Sequence, residues 1–549
     1  MLVCSGLAPD GSPVDGFEFD GVTLSYRGTV PCHATVRISR HLPATDDPAW
    51  LVPGVFYGEN RPENSSRTYP RFARETNVER MESPSWSFRA DRCATPAVFA
   101  RGGGLITSEL SPLGQSGVGF AYRDGAPTIW LDFPYREEPL AYDGSENPTP
   151  PDVRTHRWQP GDSVRLDVRE TDGNWREHLR PRDELSQAAW VSVEEAAELA
   201  AYGLHRWHYK PDPSRLIETR SFDTTEERDH MHVSWVSGAP YAYALLRHGR
   251  RVGNDEYVAA ATYVLEHIAG NLAPAGIFWP QWTVDRGWTW GWHPDHDRAH
   301  SRTLADAALY MLRAGFEDAA RSNIGVALRA QREDGALPAA LHLQTGEAVS
   351  WDGTAGMSWI PAFVEAGEHE AASRAGAYYA QFDTWSGAPE DTDLAPTSED
   401  GYAAVMAFVA LEDWENARRA ADWTLTFRYS YDVDFAPGTT LGDHQFKSRG
   451  ADQASPANQH LHDFGLICLP EFFALGEPYR TSVLQHLECF RQFIARFDGD
   501  FGAQRGMAAE RYLQTDCFGP KGTVQPLSHA WCLGVLLLAC EEVIASSGA

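Results

Sequence analysis

The sequence predicts an antiparallel β-sandwich over residues 1–187 followed by an (α/α)6 toroid over residues 188–549. Three observations carry this expectation. Short extended runs cut by Gly, Pro, Asp and Asn fill the first third of the chain, helical periodicity takes over abruptly after Trp190, and the helices are joined by alternating short and long links. A chain of 549 residues has room for two large domains of this kind.

The extended runs are FEFDGVTLSYRG, ATVRISRHL, WLVPGVFYG, SWSFRADR, AVFARGGGLITSEL, VGFAYRDGAPTIWLDF and DSVRLDVRETDG. Their alternation, aromatic and β-branched content and turn-rich separators fit two packed sheets. The Pro-rich stretch ENPTPPDV (146–153) reads as an exposed loop between strands. Ser192, with Glu194 and Glu195 behind it, then opens VSVEEAAELAAYGLHRWHY, a helix start with acids in its first turn.

Twelve helices are expected, at about 192–208, 236–249, 253–271, 302–314, 316–332, 353–366, 369–382, 400–412, 414–427, 461–474, 479–496 and 527–545. Short links near 250, 315, 367, 413 and 476 alternate with long segments at 209–235, 272–301, 333–352, 383–399, 428–460 and 497–526. Six helical hairpins result. The run 350–368 can be laid on 398–413, which sets Asp352-Gly353 on Asp400-Gly401. Repeated hairpins bury their apolar faces by stacking, and six of them close into a double ring. The long segments then gather at one end and form a deep pocket.

Composition narrows the partners. With 47 basic and 76 acidic residues the formal charge is −29, which argues against nucleic acid and against an anionic membrane surface. A hydrophobic content of 43% and 19 Trp argue against disorder. The start MLVCSGLAPDG has no basic region, and no run approaches the roughly 20 apolar residues of a membrane span, so a soluble cytoplasmic protein is expected, with oligomerisation open. Eight cysteines without a CxxC pair read as buried free thiols.

The segment 276–302 holds Trp279, Trp282, Trp288, Trp290 and Trp292 together with His293, His296, Asp297 and Arg302. Indole faces beside acids and cations suit sugar rings, whose C–H faces stack while their hydroxyls need donors and acceptors. The competing reading is a loop that packs on itself and plugs the ring. Trp351, His460 and His462 extend the same substrate-binding set into other long segments. His and Asp at close spacing raise zinc or manganese, but no HExxH pattern accompanies them, so neither metal nor cofactor is expected.

Glycosidic cleavage needs one carboxyl to protonate the leaving oxygen and another to activate water or attack carbon. Asp352, Glu399, Asp400 and Asp463 fall at the mouths of expected inner helices, and Glu510 and Asp516 lie in the last long segment. For Glu399 and Asp400 helix capping, with Ser398 as N-cap, is an equally open reading. The Gly401 that follows suggests a close backbone approach.

Domain order, helix count and these aromatic, acid-rich segments resemble the six-hairpin glycoside hydrolases that carry an N-terminal β-sandwich before an (α/α)6 toroid, among them glucoamylase-like, trehalase-like, rhamnosidase-like and disaccharide phosphorylase enzymes. The resemblance implies an acid in a mid-toroid segment, at Asp352 or Glu399/Asp400, and a base or nucleophile before the final inner helix, at Glu510 or Asp516. It implies a glycosidase, and because the β domain and the long segments narrow the pocket, exo action on an oligosaccharide or partly degraded glycan is expected. Two alternatives stand beside it: a polysaccharide lyase or sugar epimerase with His and Tyr as acid and base on the same toroid, and a non-enzymatic carbohydrate-binding protein.

Overall fold

The computed structural model describes residues 1–58, 83, 85–123, 125–139, 141–143, 147–181, 190–291, 295–390, 396–456 and 458–547. The expected boundary at 187 lies outside them, as do Trp292 and His293.

The first third of the chain forms antiparallel sheets. One runs Pro13–Val14, Leu2–Leu7, Cys32–His41, Ala126–Phe133, Gly117–Arg123 and Ser85–Arg89, with His156–Trp158 added on Cys32–His41. A second runs Arg169–Thr171, Gly103–Ile106, Ala97–Ala100, Leu51–Val52 and Phe56–Tyr57. Val36, Ile38 and Leu131 of the first share one apolar cluster with Val52, Val98 and Leu105 of the second. The pairings Val36 with Phe133 and Ile38 with Leu131 explain the alternation in ATVRIS, because every second residue points to that cluster. The stretch 146–153 differs from the expected loop: Asn147–Thr149 pairs with Ala141–Asp143 as a two-stranded ribbon. Pro148 is tolerated there because such a ribbon is all edge.

After a short helix α1 (Trp175–Leu179), each expected helix is present: α2 Val193–Gly203, α3 Ala239–Val252, α4 Asp255–Ala269, α5 Ser301–Ala314, α6 Glu317–Ala330, α7 Trp359–Glu365, α8 His369–Tyr379, α9 Ser398–Ala410, α10 Trp414–Leu425, then a one-turn α11 (Thr440–Asp443), α12 Leu469–Leu475, α13 Tyr479–Phe490 and α14 Ala530–Ser547. Helix α2 starts on a capping box, Ser192 Oγ accepting from the Glu195 amide at 3.1 Å and Glu195 accepting from the Ser192 amide at 2.8 Å.

The inner ring runs α3, α5, α7, α9, α12 and α14, each packed on the next, and α14 returns to α3. Outside them lie α4, α6, α8, α10, α13 and α2 in the same order. Five pairs are hairpins with short links; the sixth joins the first and last long helices of the chain. This is an (α/α)6 toroid. By length and composition α14 could cross a membrane, a feature absent from the expectation above. Its apolar character matches its place as an inner helix, with Leu533, Val535, Leu536 and Leu537 buried.

The long segments are not plain loops. Thr219–Ser221 pairs with Leu527–His529, His230–His232 with Gln281–Thr283, Gln281–Thr283 with Gly287–Thr289, and Asp452–Gln453 with Leu461–His462. The first two of these pairings tie segments that are distant in sequence to one another, and the last two fold single segments into short hairpins.

The sheet region docks through the turn Ala90–Arg92. Its carbonyls accept from Tyr429 Oη (Asp91, 2.9 Å) and Tyr431 Oη (Ala90, 3.0 Å). Arg89 donates to Asp516 at 2.9 and 3.1 Å, and Lys521 donates to Asp91 at 3.2 Å.

Candidate active site

A cavity of about 300 Å³ opens where the long segments meet, bordered by Glu218, Arg228, Trp235, Glu399, His460, His462, Glu510, Arg511, His529 and Trp531, with Ser455, Asn458, Phe464 and Gln525 between them. The ribbons explain the assembly. Pairing of Thr219 with His529 brings Glu218 beside the start of α14, where the Ala530 amide donates to the Glu218 carbonyl at 3.0 Å.

His529 Nε2 stands 3.2 Å from Glu510 Oε2. Burial lowers the His529 imidazole below its ordinary range although Glu510 opposes the shift. Burial also works against ionising Glu510, but His529, Arg511 and His462 outweigh it and hold the carboxyl below its usual value. Across the cavity His462 Nε2 lies 3.0 Å from Ser398 Oγ, and burial lowers this imidazole against the pull of Glu399. His460 is buried, its Nδ1 has no hydrogen-bond partner among the described residues, and burial drives it well below the ordinary histidine range. The site therefore offers neutral imidazoles at neutral pH.

Every carboxylate in the wall has a cationic partner. Glu399 accepts from buried Arg302 and from Trp235 Nε1 at 3.0 Å. Arg302 also reaches Asp306 at 3.4 Å, and its guanidinium lies 4.7 Å from the centre of the Phe464 ring. Glu218 accepts from Arg228 at 2.6 Å through Oε1, while Oε2 has no hydrogen-bond partner among the described residues. Burial raises the Glu218 carboxyl, with Arg228 opposing and Glu510 reinforcing the shift. Trp235 holds a positive φ of 69°, a strained value for an aromatic residue, and its carbonyl accepts from Tyr241 Oη.

Of the residues singled out from sequence, Glu399, Glu510, His460 and His462 line this cavity, and Arg302 joins it through Glu399. None of the other candidates among the described residues lines it. Asp400 is buried in a capping box: its carboxylate accepts from Thr397 Oγ1 at 2.9 Å, from the Thr397 amide at 3.2 Å and from the Ala388 amide at 2.8 Å. Thr397, not Ser398, is the N-cap, and Gly401 allows close approach to Thr424 of α10 rather than to a ligand. Asp352 is exposed and bonded to Ser350, and Arg332 covers Trp351 at 5.0 Å. Asp516 belongs to the docking contact with Arg89.

Trp279, Trp282, Trp288 and Trp290 lie on and beside a ribbon and do not line the cavity. Trp282 is buried with Arg215 over its ring at 4.7 Å, Trp288 packs on His267 at 4.9 Å, and Trp279 leans on the toroid core. Trp290 stacks on His296 at 4.4 Å, and Asp297 pairs with Arg298 at 3.0 Å. Among the described residues the indoles that border the cavity are Trp235 and Trp531. Sequence reasoning missed these two together with Glu218, Arg228 and His529. The run QWTVDRGWT, in which Trp-Thr recurs on both sides of a turn, is a usable sign that this long segment pairs as strands. Among the described residues no group of three or more His, Cys, Asp or Glu is arranged to hold a metal ion.

No family model and no curated protein sequence matches the chain. Among solved structures it is similar to a sugar epimerase from a ruminal bacterium, at 13% identity and a TM-score of 0.44, over 64% of this chain and 98% of that one. It is similar to a cellobiose 2-epimerase from Bacillus thermoamylovorans at 10% identity and a TM-score of 0.45, over 64% and 99%. A polysaccharide lyase matches at 11% identity and a TM-score of 0.47, over 98% of this chain and 91% of that one.

Proposed function

We propose that this protein is an enzyme that rearranges or cleaves a sugar by moving protons at carbon with histidine, the chemistry of an epimerase, isomerase or lyase. The observation that carries the reading is the His529–Glu510 pair, 3.2 Å apart, in one cavity with His460 and His462. A neutral imidazole accepts a proton from carbon at neutral pH, and a carboxylate at its side stabilises the imidazolium that forms. His462 stands as the second proton carrier. Arg302 and Trp235 fix Glu399, which can accept from a sugar hydroxyl. The indoles of Trp235 and Trp531 supply apolar faces for the ring.

One observation favours a second reading, glycoside hydrolysis. Glu218 and Glu510 share the cavity wall with carboxyls shifted in opposite directions, which is what an acid and a base need. Incubation with neutral and uronate saccharides in deuterated water, followed by mass spectrometry, separates the two. Deuterium on carbon in an epimerised or isomerised product, or an unsaturated product that has gained no water, supports histidine chemistry. Fragments that have gained water and carry no carbon-bound deuterium overturn it in favour of Glu218 and Glu510.

A further inference from the structure

We infer that the sugar this cavity accepts is uncharged. The inference rests on the reading above only in taking the cavity as the place where the sugar binds. Each guanidinium at the cavity already has a carboxylate beside it: Arg228 donates to Glu218 at 2.6 Å, Arg302 donates to Glu399 in a close contact, and Arg511 lies 3.6 Å from Glu510, near enough to neutralise charge although its Nε makes no hydrogen bond among the described residues. Behind Arg302, buried Asp306 adds a fourth carboxyl at 3.4 Å. Among the described residues, three guanidiniums therefore face four carboxyls, with imidazoles between them. A uronate would bring one more carboxylate into this wall. It would lose its hydration and meet no guanidinium whose charge is not already countered by a carboxylate within 3.6 Å.

Hydroxyl groups meet the opposite situation. Carboxylate and imidazole edges accept from them, and the Gln525 side-chain oxygen is buried without a hydrogen-bond partner among the described residues. An independent observation runs the same way. The formal charge of −29 gives the whole molecule a field that repels anions as they approach. A cavity of about 300 Å³ is at the small end for a ligand site, sized for a sugar unit rather than a long chain.

Calorimetric titration of the full chain with matched pairs tests this: glucose against glucuronate, mannose against mannuronate and galactose against galacturonate. The neutral member of at least one pair is expected to bind at least about tenfold tighter than its uronate. Equal or tighter binding of the uronates overturns the inference, and so does failure of all six sugars to bind. Glu218→Gln, which releases Arg228, is expected to narrow the preference several-fold; an unchanged preference in a folded variant also counts against it. Neutral preference with hydrolytic products would remove the histidine reading alone, whereas uronate preference with unsaturated products would remove this inference alone.

Discussion

Nε2 of His529 and Oε2 of Glu510 stand 3.2 Å apart, although 19 residues separate them along the chain and one precedes an inner helix while the other lies in the segment leading to it. The carboxylate orients the ring and favours its protonated form once a proton has been taken up.

Replacing His529 by Gln is therefore expected to lower turnover by about 10²-fold or more, and Glu510→Gln to do the same with little change in melting temperature. Because burial lowers both His529 and His462 from the ordinary 6.5, the acid limb of the rate profile should lie below that value. Rates measured across pH 5–9 check this; a limb above the ordinary value would remove histidine as the base.

Asp400 is expected to act on stability rather than turnover. Burial raises its carboxyl from 3.8 to about 7, so its contribution is fully present below the lower value and is lost as pH rises through the higher one. Thermal melts of Asp400→Asn should thus improve relative to the parent between pH 5 and pH 8. Loss of turnover with unchanged melting would instead place Asp400 in the chemistry.

Asp352→Asn and Asp516→Asn should leave turnover near normal, since one is on an exposed turn and the other is half exposed in the docking contact. Asp516→Asn should cost at most about 1 kcal/mol in denaturant unfolding.

At the far end of α14, Glu541 accepts from His248 at 2.7 Å and from Arg251 at 2.7 Å, which outweighs burial and lowers its carboxyl from 4.5 to about 2. That stabilisation is present above the ordinary value and is lost as pH falls through the lower one. Glu541→Gln should cost about 3 kcal/mol at pH 7, and calorimetry should find the difference shrinking by pH 3.

The helices were legible because each buries one side of a repeated unit, so period and link length both record the ring. The positions of Glu399, His460, His462 and Glu510 followed from their place in long segments. His529 was hidden because it was counted inside a helix start, when LSH is a strand paired with 219–221. Glu218 was hidden for the same reason: its value comes from a neighbour more than 300 residues away. The tryptophans misled because density of indoles records packing of a ribbon as readily as binding of a sugar. Asp400 shows the limit of motif reading, since a capping carboxylate and a catalytic one share the same few residues.

The pairing of 219–221 with 527–529, and of α14 with both α2 and α3, has a consequence for synthesis. Until residues 527–547 leave the ribosome the ring has a missing stave, and neither His529 nor the neighbour of Glu218 is in place. A nascent chain can fold its sheets and early hairpins yet hold no working cavity, and during that interval the apolar flanks of α3 and α2 are exposed to solvent. Activity should appear only once residues 527–547 have been made, and a protein lacking them should be an aggregation hazard before it is a slow enzyme.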